Sequence, residues 1–160
     1  MYAGLLGLHS LLRWIILILL IVNIINSLVE ANEPYTIKDK KWNLRLLIVM
    51  HINFLIGLYQ YFFGPKGFIF FRDKVNFPDT ATIMHTPYYR FWGVEHITGM
   101  LIAVVLITIS RRVAKNDQLA AGVKNKKLAW LYILSLIIIL ASIPWPFREL
   151  GAPWFRSFLS

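Results

Sequence analysis

No cysteine occurs in the 160 residues. That excludes disulfides, thiolate metal sites and iron–sulfur clusters, and it leaves redox chemistry silent about compartment. Charge is also scarce: Asp, Glu, Lys and Arg make up 16% of the chain, where soluble domains carry about a quarter. Acidic residues are the rarer kind, eight against seventeen Lys and Arg. The patterns GxSxG, GxxxxGKS/T and HExxH are all missing, so nothing points to a nucleophilic hydrolase, a phosphate-loop enzyme or a zinc peptidase. The opening MYAGLLGLHSLLRW has neither a basic n-region nor a small-residue cleavage site, and it reads as a retained helix.

What is present is apolar. Hydrophobic residues reach 58% and the mean hydropathy is +0.59, too high for an ordinary soluble domain. A helix needs roughly 20 apolar residues to cross a bilayer core. Stretches at about 3–29, 43–63, 90–110 and 128–146 qualify, with Pro65, Pro87, Pro144 and Pro146 at or beyond their ends, where proline stops helices. The expected fold is an all-α integral membrane protein: a four-transmembrane-helix bundle over 1–146, then an amphipathic tail over 147–160 on the outer face. The aromatic, Gly- and Pro-rich connection between the second and third spans is expected to lie on the membrane surface.

The net charge of +9 would raise the question of nucleic acid in a soluble protein. Here the cations sit in short loops and act as a topology signal. Segment 30–45 holds Lys38, Lys40, Lys41 and Arg45, and segment 111–127 holds Arg111, Arg112, Lys115, Lys124, Lys126 and Lys127. The other two ends carry fewer, so both termini are expected outside: in the periplasm, for a multi-pass protein of the bacterial inner membrane. Tyr88, Tyr89, Phe91, Trp92, Trp145 and Trp154 fit an interfacial aromatic belt.

Ionisable residues inside the spans are few: His9 and Arg13, then His51, then Glu95 and His96. Such residues face the bundle interior and mark function by default. On the first helix, 9, 13, 16, 20, 23 and 27 form one stripe, reading His, Arg, Ile, Leu, Asn, Ser. On the third, 92, 96, 99, 103, 106 and 110 read Trp, His, Gly, Ala, Leu, Ser. Gly99 and Ala103 serve close helix packing, or leave room beside His96 for a flat macrocycle. At ~1.5 Å rise per residue, His9 and His96 both lie roughly 9 Å from the outer end, whereas His51 lies roughly 20 Å from it.

Two imidazoles at one depth suit the two axial positions of a haem iron, leaving none open for oxygen. Haem propionates are anionic and want cations near the interface. Arg90 and Arg148 at the outer rim are the better-placed candidates, and Arg13 sits deeper, where it either helps or pairs with Glu95. His51 has several readings: a second haem ligand completed by another subunit, a quinone-carbonyl donor, or a cap on a helix carbonyl. Asn53, Gly57 and Gln60 form a stripe on nearly the opposite face of that helix. His85, in the 64–89 connection, reads as a surface residue, with an outer metal site shared with His96 as a weaker alternative.

The segments LHSLLRW, MHINFLIGLYQYF, RFWGVEHITGMLIAVVLITISRR and IPWPFRELG resemble a group of small four-span bacterial membrane proteins labelled cytochrome b-like. The resemblance runs through all four spans. It implies a four-helix b-type cytochrome with His9, His51 and His96 as the haem-related positions. Three histidines in the spans are too few for the two ligand pairs of diheme four-helix cytochromes. The leading expectation is electron transfer between quinol and a respiratory partner, through heme b near the outer face, as a subunit of a larger complex or with a periplasmic carrier. Besides the lipid bilayer, the partners expected are other membrane subunits or that carrier, and no nucleic acid. The alternative is a non-catalytic membrane subunit or assembly factor. A proton- or quinone-handling relay through Arg13, Glu95 and His51 ranks last, because His51 is separated in depth from the other two.

Overall fold

The computed structural model describes residues 2–77, 79–148 and 153–154. Four long helices dominate: α1 (Tyr2–Val29), α2 (Ile37–Phe63), α6 (His96–Lys115) and α7 (Ala121–Ser142). Three short ones, α3 (Ile69–Arg72), α4 (Thr80–His85) and α5 (Pro87–Arg90), fill the connection between α2 and α6, and a π-helical turn over Phe91–Glu95 joins α5 to α6. The four-helix bundle expected from the apolar runs is what forms. Four segments are long and apolar enough to cross a membrane: Tyr2–Val29, Ile37–Phe63, Pro87–Lys115 and Ala121–Ser142. Of the tail expected over 147–160, residues 149–152 and 155–160 lie outside the described residues.

Two helices start well before their apolar runs. Thr36 caps α2 by accepting from the Asp39 amide, while the Asp39 carboxylate accepts from the Thr36 amide at 2.8 Å; this reciprocal capping box satisfies two otherwise orphaned donors. The first two turns of α2 and α7 carry Lys38, Lys40, Lys41, Lys124, Lys126 and Lys127 as helix rather than loop. At the far end, α7 stops at Ser142, before Pro144, and Arg148 Nη1 donates to the Ala141 carbonyl at 3.0 Å. The turn that follows α1 is held by Asn125 Nδ2, which donates to Glu30 O at 2.6 Å and Glu33 O at 3.0 Å.

The long helices pack in a closed ring, α1 on α2, α2 on α6, α6 on α7 and α7 on α1, so α1 and α6 are diagonal partners. Ile16, Leu20, Leu46, Met50, Ile107, Leu128, Tyr132 and Ile139 fill the centre. The outside is equally apolar: Ile18, Ile21, Ile25, Leu55, Leu101, Val105, Leu134 and Ile137 are exposed. An exterior of this kind suits lipid, where burial of apolar side chains no longer drives helices together and close packing and hydrogen bonds must do so. Both devices occur. Gly99 packs against Ser142, whose Oγ occupies the place a Cβ would take. Asn43 Nδ2 donates to Ser110 Oγ at 2.9 Å and to Tyr132 OH at 2.7 Å, tying α2, α6 and α7 together in a fully buried cluster.

The two ends of the bundle differ. At the basic end, Asp117 of the α6–α7 connection pairs with Lys40 at 2.6 Å and Lys124 at 3.3 Å, and Arg111 Nη1 donates to Lys40 O at 2.9 Å. The hydrogen bonds from Lys40 and Lys124 hold the Asp117 carboxyl below the usual carboxylate range. At the histidine end, the α2–α6 connection folds onto itself around an aromatic cluster. Phe70 and Ile83 are buried, Phe77 packs on Phe70 at 5.1 Å between ring centroids, and Tyr89 lies 5.0 Å from Phe70. Gly67 turns the chain with φ +95°, a backbone conformation that favours glycine, as the connection leaves α2.

Candidate functional site

The stripe read on α1 does face inward: Ile16, Leu20, Asn23 and Ser27 are buried, and His9 and Arg13 are half-buried. On α6 the π-helical turn delays the register by one residue just before His96. Such single wide turns are common at functional sites because they re-aim a side chain without ending the helix. Here the turn brings His96 to the inner face opposite His9. Their ring centroids are 6.4 Å apart, with planes inclined at 71°. The two imidazoles expected to meet across the bundle do meet.

Each ring is oriented by a backbone carbonyl of a neighbouring helix. His9 Nδ1 lies 3.3 Å from Asn53 O on α2, and His96 Nδ1 lies 2.7 Å from Ser142 O on α7. A proton on Nδ1 satisfies each contact and leaves Nε2 as the lone-pair nitrogen of both rings. Metal-ligating histidines are held in this way, the outer nitrogen donating to a carbonyl so that the tautomer and the ring orientation are fixed. Gly57 makes room for His9: a Cβ there would stand 3.1 Å from His9 Cε1.

A cavity of about 190 Å³ adjoins the pair and is partly open to the outside. His9, Arg13 and Ile16 line it from α1, Met50, Asn53, Gly57 and Gln60 from α2, and His96, Ile97 and Met100 from α6. Ile139 of α7, Trp92 of the π-helical turn and Lys66 of the α2–α6 connection also line it. Three buried polar atoms on this lining have no hydrogen-bond partner among the described residues: Asn53 Oδ1, Gln60 Nε2 and Trp92 Nε1. A buried donor left unsatisfied costs about 1–3 kcal/mol, so such atoms in a cavity mark where a ligand or an ordered water completes the set.

The other residues singled out in the sequence are placed differently. Glu95 does not reach Arg13; it points outward and pairs with Arg90 at 2.7 Å, with both side chains exposed. The π-helical turn accounts for this, since it aims Glu95 away as it aims His96 inward. Arg90 is thereby held off the cavity. Arg148 lies over the Phe91 ring at 5.0 Å and caps α7, so it does not line the cavity either. Gly99 faces α7 and serves packing, not the space beside His96. Arg13 does line the cavity, and its Nη2 donates to Trp154 O at 2.8 Å. His51 stands apart, with Nδ1 donating to Leu47 O at 2.8 Å and Nε2 3.4 Å from Thr108 Oγ1, the arrangement of a histidine that caps a helix carbonyl. His85 is exposed on α4. Gly57, Gln60, Lys66 and Trp92 join the site without having been picked out for it; the polar stripe 53, 57, 60 on α2 was the signal for two of them.

Among the described residues no three His, Cys, Asp or Glu side chains converge. A metal bound by side chains alone takes three or four, so the site lacks that donor set. Two imidazoles suffice where a macrocycle supplies the remaining donors. Comparison with family models, curated proteins and solved structures finds no match for this chain.

Proposed function

We propose that the protein is a small b-type cytochrome of the membrane, binding one haem between His9 and His96 and passing electrons between quinol and a respiratory partner. What carries the reading is the pair of imidazoles on diagonal helices, each tied at Nδ1 to a backbone carbonyl and each without a hydrogen bond at Nε2 among the described residues. A first-row metal–imidazole bond is about 2 Å, so two of them end to end plus the reach of each ring come to roughly 6 Å between centroids. The observed 6.4 Å fits.

A haem held by His9 and His96 would supply reversible one-electron chemistry. The chain's own part is to hold and shield. The carbonyls of Asn53 and Ser142 fix the ring orientations, and Ile16, Ile97 and Ile139 keep water from the centre. Met50 and Met100 line the cavity, and their unbranched side chains would adapt most readily to a bound macrocycle. The lipid-compatible exterior supports an electron path within a bilayer, and the abundance of arginine and lysine at the basic end supports a cytoplasmic side for that end.

Titration of the detergent-solubilised protein with haem b tests the reading. Wild type takes up one equivalent in a low-spin, six-coordinate form. His9→Ala and His96→Ala each lose that form. Retention of it by both variants contradicts the assignment of the two ligands, and no uptake by wild type favours a haem-free structural subunit.

A further inference from the structure

The cavity has a polar outer tier whose donors lack an acceptor. Gln60 stands three residues beyond Gly57, the residue that backs His9, so it lies about one turn closer to the end of α2. Trp92 stands four residues before His96, with ring centroids 5.7 Å apart, on the same side of that imidazole. Gln60 Nε2 and Trp92 Nε1 are both buried and unpartnered among the described residues. Lys66 completes the tier: its Nζ lies 4.3 Å from the centre of the Trp92 ring and 5.3 Å from that of Tyr88. No carboxylate of the described residues pairs with Lys66. Two buried N–H donors and a cation, all on one end of one cavity, are complementary to an anion with several acceptor oxygens.

Resting on the haem reading above, we infer that Gln60, Trp92 and Lys66 form a carboxylate clamp that holds the haem propionates at the histidine end. This replaces Arg90 and Arg148, which the structure engages with Glu95 and with the end of α7. The placement follows from the geometry of the site. The ligating rings lie one turn deeper than the three donors, so the carboxylates reach the tier while the macrocycle stays at the level of His9 and His96. Charge-assisted hydrogen bonds in a partly dry site account for the orientation as well as for part of the affinity.

The test compares haem b with its dimethyl ester, in which both carboxylates are blocked. Each is titrated into the full-length protein in detergent and followed by absorbance. Wild type binds the free acid at least about tenfold more tightly than the ester, the worth of one charge-assisted hydrogen bond. Lys66→Met, Gln60→Leu and Trp92→Phe narrow that ratio by losing affinity for the free acid alone, with the low-spin spectrum kept. Lys66 lies in the connection beyond α2, so its variant carries the test if the two helix-end variants fail to fold. An unchanged ratio in Lys66→Met, or equal binding of acid and ester by wild type, overturns the clamp and leaves the histidine pair standing. Binding of neither form by wild type overturns both.

Discussion

Gly57 lies against the edge of the His9 imidazole, and a Cβ at that position would stand 3.1 Å from Cε1. The contact fixes how closely α2 approaches α1 at the level of the site. Gly57→Ala asks the ring to give by a few tenths of an ångström. Gly57→Leu cannot be met without turning His9 away from Asn53 O. The expected outcome is near-normal haem uptake in the alanine variant and loss of the six-coordinate form in the leucine variant, followed by visible spectroscopy. Equal behaviour of the two contradicts the packing described for His9.

Asn43 makes a separate prediction at the opposite end. It is fully buried and donates to both Ser110 and Tyr132. Asn43→Leu takes from the buried Ser110 and Tyr132 hydroxyls the donor they share, at a cost of about 1–3 kcal/mol. The melting temperature in detergent falls, while the histidine pair, at the other end of the bundle, is unaffected in any haem it binds.

His51 separates one haem from two. Its Nδ1 is satisfied by Leu47 O and its Nε2 faces Thr108, and it does not line the cavity. His51→Leu keeps haem stoichiometry and spectrum, measured on the same preparation as wild type. A halved haem content would assign His51 to a second site.

Asp117 carries the pH dependence of the basic end. Hydrogen bonds from Lys40, then Lys124, hold its folded-state pKa below the unfolded value. A depressed carboxyl contributes stability that is full above the unfolded pKa, about 4, and is lost as pH falls through the folded value. Because Asp117 is exposed, the contribution is small. Melting temperatures of wild type and Asp117→Asn differ near neutrality and converge in acid; a constant difference from pH 7 down to pH 2 removes the ion pair from the account.

Much of this was legible in the residues. Four apolar runs, prolines at their ends and a stripe of polar residues on α1 follow from helix geometry and the thickness of a bilayer. The matching depth of His9 and His96 needed only the rise per residue. What the pattern misjudged traces largely to one local event. A π-helical turn at Phe91–Glu95 breaks the 3.6-residue register, and it is what sends Glu95 to Arg90 instead of Arg13. The role of Gly99 was ambiguous because a small residue serves a close helix or a bound plane equally well, and only the position of Ser142 decides. Helix starts were read late on α2 and α7, because apolar runs mark where a helix crosses lipid and not where it begins. Trp92 stood on the same stripe as His96, but Lys66 carried no periodic signal: the fold of the α2–α6 connection brings it to the cavity.

The most direct measurement is a reduced-minus-oxidised visible spectrum of the protein purified in detergent from haem-replete cells, alongside His96→Ala. The account predicts the absorption bands of a six-coordinate b-type haem in wild type and their loss in the variant. A colourless wild-type preparation contradicts it.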